Sequence, residues 1–111
     1  MSLESMKNEA CTVLVTCGDQ AEAEKIAATI VKERLAACTN LVPGIQSFYM
    51  WEEEFQTETE ILLIIKTTPE TLPKLENRVR ELHSYAVPEF LALPVTFGGQ
   101  SYIEWIKNNV R

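Results

Sequence analysis

The sequence predicts an α+β domain of order β-α-β-β-α-β with one further helix at the C-terminal end. Three observations predict it. Short β-branched and apolar runs mark strands at Thr12–Thr16 and Ile61–Ile65. Apolar residues at three- and four-residue steps mark helices over residues 23–35 and 72–82. Pro and Gly residues punctuate the boundaries between these segments. A chain of 111 residues with 46% hydrophobic content makes a single domain able to bury a core without disulfide or metal support.

Each element follows from its residues. Thr12-Val13-Leu14-Val15-Thr16 reads as the first strand. Asp19 then offers an N-cap oxygen, with Glu22 three residues on in the capping-box position. Ala23, Ile26, Ala27, Ile30, Val31 and Leu35 form the apolar face of the first helix, and Glu24, Lys25, Lys32 and Glu33 its wet face. From Cys38 to about Trp51 the chain is extended, with a kink or bulge expected at Pro43-Gly44. Glu52 to Thr59 is expected to be a turn, and Ile61–Ile65 the third strand. Pro69 and Pro73 bracket the start of a second helix whose buried stripe is Leu72, Leu75, Val79 and Leu82. Glu81 to Glu89 is a connector holding the only histidine, His83. Phe90–Val95 reads as the fourth strand, Gly98-Gly99 as a break, and Tyr102, Ile103, Trp105 and Ile106 as a short terminal helix.

This order is the ferredoxin-like plan, in which both helices cover one face of the sheet. The third strand, however, is apolar at Leu62 and Ile64 as well as at Ile61, Leu63 and Ile65. A sheet with one wet face should alternate apolar and polar residues. The second face therefore needs a cover, and another subunit is the simplest one, so an obligate homo-oligomer is expected.

Composition removes several functions. Asp and Glu outnumber Lys and Arg by 16 to 10, for a net charge of −6, which disfavours a nucleic-acid partner. The central strands also lack the aromatic set that stacks bases. No apolar window is long enough to span a bilayer, so no membrane partner is expected. Residues 1–10 are polar, carry no targeting pattern and read as a flexible tail before a domain over 11–111, which makes the expected compartment the cytosol. Cys11, Cys17 and Cys38 are odd in number and lack C-x-x-C spacing, the pattern of reduced thiols. No nucleophile–base pair with an orienting third group is visible, so the chain is not expected to be an enzyme. Acylphosphatases share the element order, but they cradle phosphate with an arginine in the first loop, and Cys17-Gly18-Asp19 has none.

An ordered set of segments carries a family resemblance. These are Val15-Thr16-Cys17, Arg34 to Gly44, Ser47 to Glu52, Leu63 to Thr67, Leu82 to Glu89, Ala92 to Val95 and Tyr102 to Trp105. Together they cover nearly everything after residue 11, and the chain strongly resembles the CutA family of divalent-cation tolerance proteins. The resemblance implies a ferredoxin-like subunit assembled as a compact homotrimer through strand edges and the open sheet face. It implies a cytosolic role in tolerance to copper and other divalent cations, with no organic cofactor and no reaction attached to the fold. The chain departs from the family pattern at Ser84, usually Pro, and at Ala86, usually Glu. The first loosens the connector around His83, and the second removes a carboxylate.

Through the resemblance, Cys17 and His83 are the candidate metal ligands, at the end of the first strand and after the second helix. Thiolate and imidazole suit copper and zinc, with carboxylate as a weaker third. Two ligands do not close a tetrahedral site. A third comes from Glu89, from water or from a neighbouring subunit, giving an open or shared site of modest affinity. Equally, Cys17 reads as a strand-end thiol and His83 as a helix-terminal residue favoured by the dipole.

Lys66, Tyr85 and Glu89 form a second constellation, placed near a subunit boundary with Trp51 or Asn40. It suits a small anionic or zwitterionic molecule, which makes a trimeric small-molecule sensor the alternative function. No Gly-rich phosphate loop accompanies it, and a salt bridge beside a packed tyrosine explains the same residues. The acidic run Glu52-Glu53-Glu54, with Glu58 and Glu60, reads as a solvated turn.

Overall fold

The computed structural model describes residues 9–111. Strand β1 (Cys11–Cys17) leads to helix α1 (Gln20–Lys32), then to the long strands β2 (Cys38–Trp51) and β3 (Glu54–Thr67). A single 3-10 turn at Pro69–Thr71 enters α2 (Leu72–Leu82), followed by β4 (Leu91–Pro94) and α3 (Gln100–Asn108). The four strands form one sheet of order β2-β3-β1-β4, with every neighbouring pair antiparallel. Residues 1–8 of the expected tail lie outside the described residues. Ala10 is fully buried, and its carbonyl accepts from the Val95 amide at 3.1 Å.

The core lies between one face of the sheet and helices α1 and α2. Val13, Val15 and Cys17 of β1 and Leu63 and Ile65 of β3 meet Ile26, Ile30, Leu75 and Val79, all fully buried. Each large aliphatic side chain so buried contributes roughly 1.5–3 kcal/mol. Alternate residues of the same strands point the other way, and Leu14, Leu62 and Ile64 are only half-buried. The register sets Leu14 between Ile64 and Leu91, and Leu62 between Thr16 and Val42. With Leu91 58% exposed and Leu93 46%, this second face carries an uncovered apolar stripe, as expected from the continuous apolar runs.

Helix α1 starts as its residues dictate, with the Asp19 carboxylate accepting from the Glu22 amide at 3.1 Å. It ends earlier than its apolar period suggests. Arg34 takes a left-handed φ of 63°, its amide bonds the Val31 carbonyl, and the Leu35 amide bonds the Ile30 carbonyl. That is a Schellman closure, with Leu35 as its apolar anchor rather than a helical residue. An arginine where glycine is usual costs roughly 1 kcal/mol. Arg34 is held from outside: its side chain donates to Asn109 Oδ1 at 3.0 Å and its carbonyl accepts from the Arg111 amide at 2.9 Å. Around this tie α3 docks, with Ile106 buried among Ala10 and Ala37 against Val95, Ile103 and Val110.

The expected turn over residues 52–59 is a strand. Only Glu52 and Glu53 turn, with φ of 50° and 69°, and Trp51 pairs directly with Glu54. Two consecutive left-handed residues make the tight hairpin loop that matches strand twist. The polar residues after it alternate along β3 and bond across to β2: Gln46 to Thr57 and Thr59, and the Tyr49 hydroxyl to Glu58 at 2.6 Å. The expected irregularity at Pro43-Gly44 is present, as a register shift between Val42 and Ile45 with Gly44 at φ 76°. The fourth strand is shorter than expected, Leu91–Pro94, and leaves Phe90 packed against the core. Among the described residues no helix is long and apolar enough to cross a membrane.

Candidate metal centre and an adjoining cleft

The end of β1, the start of α1 and the end of α2 meet at one edge of the core. His83 caps α2, where its amide bonds the Val79 carbonyl and its φ and ψ turn extended, aiming the ring back under the sheet. Its side chain is fully buried. Nδ1 accepts from the Tyr85 backbone amide at 3.1 Å. An amide N–H can only donate, so Nδ1 is unprotonated and Nε2 carries the hydrogen, which it donates to the Thr16 carbonyl at 2.7 Å. His83 is thus a neutral imidazole with both nitrogens engaged, and its 3.6 Å approach to Glu22 is not an ion pair. The Tyr85 ring lies over it, centroid to centroid 4.6 Å.

Cys17 Sγ lies 3.6 Å from His83 Nε2. Burial, and then the carboxylates of Glu22, Glu60 and Asp19, push this thiol up to about 12. It is a protonated thiol at neutral pH, not a poised nucleophile. Cys17, Glu22 and His83 each offer a ligand atom within 4.8 Å of the other two. The set of sulfur, imidazole nitrogen and carboxylate fits a soft or borderline divalent ion and leaves a coordination position open. Binding requires the thiol proton to leave and one His83 nitrogen to give up its present bond.

Cys17 and His83, the two candidate ligands named from the sequence, thus lie side by side. Glu22 lies beside them, although the sequence pattern marks Glu22 only as a capping-box residue. Its amide does serve the cap, but its carboxylate accepts from Ser84 Oγ at 3.1 Å across the helix pair. Glu89 is absent from the cluster and instead lines a neighbouring cleft of about 760 Å³ between the β2–β3 hairpin and the connector after α2. Tyr49, Trp51, Tyr85, Glu58 and Glu60 line the same cleft. The Tyr85 hydroxyl donates to Glu60 Oε2 at 2.8 Å, and Gly18 lets that phenol approach, since a Cβ there would lie 2.7 Å from it. Burial, followed by the Glu60 contact and charge, pushes the Tyr85 phenol above its ordinary range. Glu89 is pushed up by burial and then by the Glu60 charge.

Trp51, Tyr85 and Glu89 are thus brought together, and Lys66 is not. Lys66 pairs with Thr12 and Cys38 towards the other end of the sheet, where its ammonium bonds Asn40. It stands six positions along β3 from Glu60, a span of about 20 Å.

These features define a small α+β domain that gathers a thiol, an imidazole and a carboxylate at one end of an antiparallel sheet. The chain belongs to the CutA1 divalent ion tolerance protein family, whose model matches residues 11–109. The divalent-cation tolerance protein CutA of Thermus thermophilus is 46% identical over 97 residues, covering 87% of this chain and 94% of that protein. The chloroplastic protein CutA of Arabidopsis thaliana is 48% identical over 99 residues, 89% of this chain but only 54% of that protein. The crystal structure of CutA1 from Oryza sativa superposes with a TM-score of 0.91 at 43% identity, covering 96% of this chain and 97% of that one.

Proposed function

We propose that this protein binds divalent metal ions, copper foremost, at Cys17, Glu22 and His83, and through that binding serves divalent-cation tolerance. The observation that carries the reading is the convergence of three different donor types in a buried pocket, from residues far apart in the chain. The negative charge of Glu22, Glu60 and Asp19 that holds the thiol proton in place also favours an incoming cation. Affinity is modest and rises with pH, because a proton leaves as the ion enters. The role is binding rather than catalysis: the thiol is protonated and the imidazole has no free lone pair to serve as a base. No organic cofactor takes part.

The binding unit of this reading is a ferredoxin-like homotrimer in the cytosol. The strand order β2-β3-β1-β4, with two helices on one face, supports that topology. The uncovered stripe of Leu14, Leu62, Ile64, Leu91 and Leu93 supports a partner subunit on the other face. The test is equilibrium titration with Cu(II) and Zn(II) at fixed pH for wild type, Cys17→Ser, Glu22→Gln, His83→Ala and, as a control, Glu89→Gln. Stoichiometric binding that survives Glu89→Gln and collapses in the other three, with the oligomer intact, is expected. Equal binding by wild type and Cys17→Ser would refute the site.

A further inference from the structure

Ser84 is exposed, yet its hydroxyl is committed to the cluster of Cys17, Glu22 and His83. It follows His83 directly at the end of α2, and its Oγ donates to Glu22 Oε2 at 3.1 Å, across to the first turn of α1. The same oxygen lies 3.6 Å from His83 Nδ1. Among the described residues no other donor bonds the Glu22 carboxylate. A glutamate side chain has several rotatable bonds to order, and with 18% exposure this one has an outlet to water. Without the serine the carboxylate is free to turn outward, and with it an oxygen is kept beside the imidazole.

The held oxygen changes the character of the cluster. Cys17 and His83 alone supply a thiolate and an imidazole, a pair that suits monovalent copper as well as a divalent ion. Monovalent copper is soft and carries a single charge, so a carboxylate adds little to its binding. A divalent ion gains from a third donor that is anionic and hard, and gains most when that donor is already oriented. Ser84 contributes no ligand atom to the trio and acts only through Glu22.

We propose that Ser84 sets the ion preference of the cluster: by holding Glu22 beside His83 it favours divalent ions over monovalent copper. Ser84 is a positioning residue in this scheme. The inference rests on the metal-binding reading above and adds to it the residue that selects the charge of the ion.

The experiment uses the assembled protein, stripped of metal and kept reduced without air. Co(II) binding is read from its visible absorption, Zn(II) by displacement of Co(II), and Cu(I) by competition with bicinchoninate. The proteins are wild type, Ser84→Ala, Ser84→Thr and Glu22→Gln. Ser84→Ala is expected to weaken Co(II) and Zn(II) about tenfold, the usual effect of losing a group that orients a ligand, and to leave Cu(I) binding as in wild type. Ser84→Thr, which keeps the hydroxyl, should restore the divalent affinity. Glu22→Gln should shift the preference towards Cu(I) in the same direction and further. Because Ser84 is exposed, its truncation leaves the core intact, and Glu22→Gln reaches the same contact from its other side. Equal weakening of Zn(II) and Cu(I) by Ser84→Ala would assign the serine a merely structural role and overturn the inference. So would unchanged Zn(II) affinity, or a Ser84→Thr protein as weak as Ser84→Ala. Wild type that binds through Cys17 and His83 while Ser84→Ala matches it refutes this inference alone. Wild type that binds none of the three ions refutes the metal-binding reading, and this inference with it.

Discussion

Replacing Cys17 by alanine tests the electrostatics of the cluster directly. In the folded chain burial and three carboxylates push the thiol from 9.0 up to about 12, whereas in the unfolded chain it returns to the ordinary value. Between those values the unfolded chain releases its proton and the folded chain keeps it. The folded state then binds more protons, so stability falls as pH rises from 9 towards 12. One proton changes stability by about 1.4 kcal/mol per pH unit in such a window. From pH 8 to pH 10 the wild type should lose about 1.4 kcal/mol through Cys17 alone. Other groups titrate in the same range, notably Cys11, raised by burial, and Tyr49, raised to about 12 by its bond to Glu58. The readout is therefore the difference between wild type and Cys17→Ala in urea unfolding, at fixed protein concentration with reductant and chelator. At pH 8 the variant is less stable because a buried side chain is truncated. By pH 10 that deficit should shrink by about 1.4 kcal/mol. A deficit that stays constant within about 0.3 kcal/mol would show that the thiol is not held protonated, and the account of the cluster would fail.

His83→Ala orphans the Thr16 carbonyl and the Tyr85 amide and leaves a cavity under the sheet, so urea unfolding should show a loss of about 2–4 kcal/mol. A loss below about 1 kcal/mol would mean the imidazole is not an integral part of the fold. Glu89→Gln should stabilise the protein at neutral pH, because the folded state holds the Glu89 proton more tightly than the unfolded chain does. For that group stability falls as pH climbs above about 4.5, and the variant's melting temperature should vary less with pH across that window. Gly18→Ala forces a methyl to 2.7 Å from the Tyr85 hydroxyl and should cost about 1–3 kcal/mol. In a Tyr85→Phe background the same substitution should cost markedly less, and a cycle of the four proteins would reveal additivity if the contact is immaterial.

Element type was legible in this sequence wherever periodicity was strong and local. β1, α1, α2 and the core half of β3 announce themselves through Val13, Ile26, Leu75 and Ile65 and their spaced neighbours. The hairpin tip was hidden because glutamates, not Asn-Gly, hold the two left-handed positions, Glu52 and Glu53. Leu35 fits the helical period yet serves the closure after it, since a Schellman motif also wants an apolar residue there. The cluster was half legible. Cys17 and His83 stood out as rare residue types at element ends, but Glu22 looked fully employed as a cap. That one residue can serve the cap with its amide and a distant helix end with its carboxylate is a fact of packing, with no local signature. The separation of Lys66 from Tyr85 likewise depends on strand register, which composition does not reveal.

The register of the sheet also dictates an order of assembly. Strands β2 and β3 meet across two residues, from Trp51 and Glu54 outward to Cys38 and Lys66, and can zip from the tip with little loop entropy lost at each step. β1 has no such neighbour in sequence. One of its edges pairs with β3 and the other waits for β4, whose Pro94 lies opposite Cys11. During synthesis the hairpin is complete while β1 still presents an open apolar edge, and it stays open until residues 91–94 have left the ribosome. A stalled chain ending in α2 therefore carries the longest ladder of the fold intact, with β1 paired to β3 on one side and its other edge open, the combination that invites edge-to-edge association between copies.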